Sequence, residues 1–143
     1  MSLPYFLALL AETYGKAGQV REGLSALAEA IALVQKNGER SHEAELYRLK
    51  GELLLQSRVQ SLESRVQKEA EECFRQGIDI ARRQSAKSLE LRAVMSLSRL
   101  LQRQGKKEAA RRMLAEIYGW FTEGFDTADL KEARTLLEEV SQD

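Results

Sequence analysis

The chain has 143 residues, 43% of them apolar, which is one domain's worth of length with enough hydrophobic side chains to build a core. Its 22 Lys and Arg balance 22 Asp and Glu, which argues against a general affinity for nucleic acid or an anionic membrane. No window approaches 18 uncharged apolar residues, Met1 to Leu10 lacks the basic start and cleavage site of a secretory leader, and a single cysteine cannot form an internal disulfide, so a cytoplasmic protein is expected.

Taken in chain order, Pro4 suits a first helical turn, and Phe6, Leu7, Leu10, Ala11 and Tyr14 then recur at spacings of three and four. A second helix carries Gly23, Ala26, Leu27, Ala30, Ile31 and Val34 and ends at Asn37-Gly38. Ser41 is expected to cap a third, with Glu43 and Glu45 near its positive end and Leu46, Tyr47, Lys50, Gly51 and Leu54 along its stripe. The segment SRVQSLESRVQ, residues 57–67, repeats SRVQ after seven residues. Ser57 to Gln60 and Ser64 to Gln67 both fit a capping box, and Val59, Leu62 and Val66 keep helical spacing, so a longer helix or inter-helix loop is read here, ahead of a docking arm.

The fourth helix carries Ala70, Cys73, Phe74, Gly77, Ile78 and Ala81. Gln84 to Ser88 is a short connection, with Ser88 as cap for a fifth helix bearing Ala93, Val94, Leu97, Ser98 and Leu101. A sixth bears Ala110, Met113, Leu114, Ile117, Tyr118 and Phe121, with Gly119 in its tail, and Gly124 before Asp126-Thr127 is a break. The last helix sets Leu130, Ala133, Leu137 and Val140 on one face.

The first, third and fifth stripes stand 40 and then 47 residues apart, and the second, fourth and sixth 47 and then 40. Two helices per unit at a period near 40 describe a helical solenoid. The segments LLAETYGKAGQVREGLSALAEAI, AELYRLKGELLL with EAEECFRQGIDIARRQ, and LSRLLQRQGKKEAARRMLAEI resemble the tetratricopeptide repeat (TPR). The resemblance implies an all-α, right-handed TPR-like solenoid in one domain, residues 1–143, with repeats at about 4–37, 42–86 and 88–124 and a capping helix at about 127–141. The middle copy departs between its helices, Pro is missing late in all three, and Ile117 replaces a small residue. Because the pattern opens almost at once, Met1-Ser2-Leu3 reads as an addition to the natural chain.

A narrower likeness covers about two thirds of the chain. RLKGELLL and the run from ECFRQGIDIARRQSAKSLELRAV through FDTADLKEARTLLEEV resemble the C-terminal tail of bacterial signalling proteins in which a class III adenylate/guanylate cyclase domain precedes an AAA-type ATPase and a TPR tail. This implies a regulatory or assembly role in signal transduction, with the catalytic modules outside these residues. No catalysis, cofactor or metal is expected of the chain itself. His42 is the only histidine and reads as a surface or capping residue, Cys73 as a packed thiol, and Gly105-Lys106-Lys107 lacks the upstream Gly and following Ser or Thr of a phosphate loop.

The TPR likeness implies that the first helix of each pair lines a concave groove. Its non-core positions are Tyr5, Ala8, Glu12 and Lys16, then Glu45, Arg48, Glu52 and Gln56, then Arg92, Met95, Arg99, Gln102 and Arg103. Arg92, Arg99 and Arg103 share a face that can receive carboxylates or phosphates, or can simply neutralise neighbours: the common offset of 47 pairs Glu45 with Arg92 and Glu52 with Arg99. A protein or peptide partner is expected there, with a small ligand sensed for an upstream NTPase as the alternative. A groove closed by Glu-Arg pairs favours assembly; an enclosed pocket with unpaired arginines favours a ligand. Tyr118 and Phe121 continue the core stripe and are expected to receive the C-terminal helix, while Trp120 points off that stripe as a candidate exposed anchor, although its area favours a place in the core at the cap junction. Leu3, Phe6, Leu7 and Leu10 open the chain with no preceding helix to cover them, so self-association is expected through the N-terminal end, against a second copy or the 57–67 segment of a neighbour.

Overall fold

The computed structural model describes residues 3–38, 40–57 and 63–142, and the docking-arm and spacing readings of Val59 and Leu62 lie outside them. Among the described residues the chain is all-helical, with seven helices and no strand: α1 Leu3–Lys16, α2 Val20–Asn37, α3 Glu43–Gln56, α4 Glu63–Arg83, α5 Lys87–Arg103, α6 Lys107–Tyr118 and α7 Ala128–Val140. None is long and apolar enough to cross a membrane.

Consecutive helices pack on one another, and α1, α3, α5 and α7 also touch in sequence, whereas the even helices do not meet among the described residues. Of these, α3 and α5 are the inner members, packed on both odd neighbours and on two even helices, whereas α1 and α7 stand at the ends of the row. Accordingly α5 buries ten residues, including Ser96 and Ser98, and leaves few positions free. Three apolar clusters run along the array: Leu7, Ala11, Leu27, Val34 and Leu46 at the first end, Ala44, Tyr47, Ile80 and Ala81 in the middle, and Phe74, Leu91, Leu97, Leu114, Leu130 and Val140 at the far end. Small residues let backbones approach. A Cβ on Gly51 would collide with the ring of Phe74, which is fully buried and has nowhere to go.

Three turns share one geometry. Gly18, Ser85 and Gly105 adopt φ of 77°, 54° and 79°, and the next N–H in each case, from Gln19, Ala86 and Lys106, donates to a carbonyl five residues back at 2.8 Å. This is the Schellman closure, which satisfies the carbonyls left over at a helix end by turning through a left-handed residue. Gly38 ends α2 in the same left-handed region.

Several local expectations are corrected. α3 begins after His42 and α5 after Ala86, neither with a capping side chain, because the preceding turn delivers the chain straight into the helix; Ser41 and Ser88 are not caps. Ser57 ends α3 by donating to the Leu54 carbonyl at 2.6 Å, and Ser64 lies inside α4. On α7 the buried face is Leu130, Ala133, Leu136 and Val140, with Leu137 only partly buried. Thr127 caps that helix, its hydroxyl accepting from the Leu130 N–H at 3.4 Å. Trp120 is exposed at 57%, since the chain turns at Gly119 before the ring reaches the core; its partners are Phe121, edge-on at 5.2 Å, and the Lys87 ammonium at 5.6 Å.

Candidate functional site: a charged groove on the odd helices

The free faces of α1, α3, α5 and α7 line a run of three adjoining clefts. One of about 350 Å³ is bounded by Glu12, Lys16, Arg48, Glu52, Gln56 and Arg99 with Leu49 and Leu53 beneath. A second of about 220 Å³ is bounded by Glu12, Arg48, Arg92, Arg99, Asp129 and Glu132 with Met95. A third of about 280 Å³ lies between Arg99 and the Lys131, Glu132, Thr135 and Glu139 side of α7. Arg99 borders all three, which makes it the junction of the groove. All three are open to solvent.

Ion pairs stitch the walls together across elements. Arg48 donates from Nε and Nη2 to the two carboxylate oxygens of Glu45, one turn before it on α3, at 2.7 and 2.9 Å, and its Nη1 reaches the Ser96 hydroxyl at 3.5 Å. Arg92 donates from Nη1 to Glu45 at 2.9 Å and from Nε to Asp129 at 2.8 Å, so one guanidinium joins α3, α5 and α7. Arg99 donates to Glu132 of α7 at 3.4 Å. Of the two expected pairs, Glu45 with Arg92 is present. Glu52 and Arg99 share a cleft but form no ion pair, because Arg99 reaches α7 instead.

Burial sets the electrostatics. Burial opposes the charge of Glu45, yet the hydrogen bonds and charges of Arg48 and Arg92 outweigh it and hold this carboxyl below the ordinary glutamate value. Arg48 is likewise opposed by burial and raised by Glu45 and Glu52, while Arg92 is raised chiefly by its bond to Asp129. Glu45, Arg48 and Arg92 thus each favour their charged forms. Glu12, Lys16 and Glu52 enter no ion pair among the described residues, and they leave the first cleft with unspent charge of both signs.

Of the expected groove residues, Glu12, Lys16, Arg48, Glu52, Arg92 and Arg99 border these clefts, and Glu45, which borders none of the three, joins them through its pairs with Arg48 and Arg92. Ala8 is a correction: at 5% exposure it belongs to the first apolar cluster, on the face that α1 turns to its neighbours, whereas Met95, also buried at 2% exposure, does line the second cleft. Gln102 and Arg103 border none of the three clefts. Tyr5 packs at a tilt against His42, 4.8 Å between centroids, at the start of α1, and borders none of the three clefts. Asp129, Lys131 and Glu132 were missed. The amphipathic pattern of α7 signals a capping helix with one apolar face, and nothing in it marks these residues as a wall of the groove.

Elsewhere, Cys73 is buried at 8% exposure, and burial pushes its thiol above the ordinary cysteine value, with Lys50 acting in the opposite sense. At the N-terminal end the expected uncovered set needs correction. Leu7 is buried at 7% and Leu10 is partly buried against the first cluster, since both turn towards α2 and α3; the exposed apolar side chains of α1 are Leu3, Tyr5, Phe6 and Leu9. A comparison with protein-family models finds no match, and a search of curated proteins finds none either.

Proposed function

We propose that this chain is a TPR-like solenoid of three helix pairs and a capping helix that works as a protein-protein interaction module, with its groove as the partner surface. The observation that carries the reading is Arg92 held between Glu45 and Asp129, three odd helices tied side by side along open clefts. A groove whose arginines are already neutralised is poised to receive a polypeptide with charges of both signs along its length, not to enclose a small anion. The ligand-sensing alternative calls for an enclosed pocket and unpaired arginines, and Arg48 and Arg92 are both paired. The turn geometry shared by Gly18 and Gly105, each between the two helices of a pair, supports the repeat reading.

The same reading places the chain in the cytoplasm as a regulatory or assembly tail of a bacterial signalling protein of the cyclase and ATPase type. It assigns no catalytic step, cofactor, nucleic acid or membrane to these residues. The test is differential capture. Tagged wild type, a groove variant Glu52→Arg with Arg99→Glu, and a control Lys68→Glu on α4 are used on one bacterial lysate, and recovered proteins are quantified. At least one protein should fall about tenfold or more, roughly 1.4 kcal/mol of binding, with the groove variant and stay unchanged with the control. Equal recovery by the wild type and both variants would contradict the groove.

A further inference from the structure

The arginines that border the groove are not equally held. Arg48 bonds from all of its side-chain nitrogens to Glu45 and Ser96, and Arg92 is clamped between Glu45 and Asp129 at 2.9 and 2.8 Å. Arg99 donates a single hydrogen bond among the described residues, from Nη2 to Glu132 at 3.4 Å, and the side chain of that glutamate is 63% exposed. A guanidinium carries several N–H donors in a fixed fork, so most of those on Arg99 remain unspent in the residue that borders all three clefts. Across the first cleft the lining changes character. α3 lies between α1 and α5, which do not touch each other among the described residues. Its Leu49 and Leu53 supply the apolar part of the lining, and beyond them α1 supplies Glu12, which like Glu52 enters no ion pair. A chain laid from α5 to α1 therefore meets a cation, an apolar strip and then a carboxylate.

We propose that Arg99 is the selectivity contact of the groove: it gives up Glu132 and takes an acidic side chain of a polypeptide whose following residues are apolar and then basic. The inference rests on the groove reading above and adds the chemistry that the junction of the groove selects. Glu132 is a weak competitor, because an exposed pair held through one long bond adds little, whereas an incoming carboxylate can use the whole guanidinium fork. Arg48 and Arg92 are not open to exchange on those terms, since each is committed to Glu45 and to a second helix, and breaking such a pair strands a partly buried charge. Lys16 borders the first cleft alone, and its compact ammonium offers no fork. A phosphate is disfavoured, because Glu12, Glu52, Asp129 and Glu132 line the clefts that Arg99 borders and would repel a dianion. A carboxylate replaces Glu132 charge for charge.

The probe is the peptide acetyl-Ala-Glu-Leu-Leu-Lys-Ala-amide, capped so that no terminal carboxylate competes. It is titrated to millimolar concentration into isotope-labelled chain while the arginine Nε signals are followed. Arg99 should shift saturably, with Arg48 and Arg92 moving little, and the same peptide with Gln in place of Glu should bind at least about tenfold more weakly. Glu132→Gln, which removes the competitor, should bind the Glu peptide about two- to fivefold more tightly than wild type does. Arg99→Gln should keep the helical circular dichroism and lose the preference for Glu over Gln, whereas Arg75→Gln on α4 should retain that preference. A wild type with no preference for Glu over Gln, or with no shift at Arg99 from either peptide, overturns the proposal, as does a Glu132→Gln variant that binds no more tightly. A phosphoserine in place of the peptide's Glu that binds more tightly than Glu itself overturns the choice of a carboxylate. Groove-dependent capture that persists beside any of these failures removes this inference alone, and failed capture removes the groove with it.

Discussion

Glu45 is the residue on which the groove's charge pattern turns, because it receives both Arg48 and Arg92 while only 15% of its side chain is exposed. Its folded pKa lies below the ordinary value despite burial, so it contributes stability that is present above the unfolded pKa and lost as pH falls through the lower, folded one. Urea unfolding should show wild-type stability declining below about pH 4.5. Glu45→Gln should cost about 1–2 kcal/mol at pH 7 and decline less steeply in acid. Parallel acid limbs for the two proteins would contradict this. The pairing of Glu45 with Arg92 was legible in the sequence because a common offset puts equivalent positions of adjacent helices face to face. The destination of Arg99 was not: a long side chain chooses among all carboxylates within reach, and Glu132 comes from a helix outside the repeat pattern.

Helices and their stripes were legible because apolar spacing reports which face is buried, and the left-handed end at Gly38 was legible because glycine is the residue suited to it. The starts of α3 and α5 were not, since there the turn before each helix, and not a capping side chain, sets where the helix begins. Ser85 shows the cost: it holds φ of 54° where Gly18 and Gly105 hold nearly the same turn without a Cβ. Ser85→Gly should therefore stabilise the protein by about 0.5–1 kcal/mol in urea unfolding, and a loss of stability would contradict the shared-turn account. At the start of α7 the cap is a side chain, and Thr127→Ala should cost about 1 kcal/mol. Between α3 and α4 the decisive feature is the close approach at Gly51. Gly51→Ala should cost about 1–3 kcal/mol by thermal or urea denaturation, because Phe74 cannot step aside; a neutral result would mean that the two helices separate freely.

At the scale of the whole molecule, the inner helices tie the array together through ion pairs, and the free faces of the odd helices form the groove. Periodicity in the sequence carried the array, since each helix must bury its stripe against a neighbour. It did not carry the groove's far wall, which depends on how α7 docks and so on contacts between residues distant in the chain. The central claim is that the groove on α1, α3, α5 and α7 is the binding surface. Its most direct test is a nuclear magnetic resonance titration of isotope-labelled chain with the protein recovered by groove-dependent capture, following backbone amides and arginine Nε signals. The shifts should concentrate on Glu12, Arg48, Glu52, Arg99 and Glu132 and their neighbours. Shifts concentrated on α2, α4 and α6, with those five residues unmoved, would contradict it.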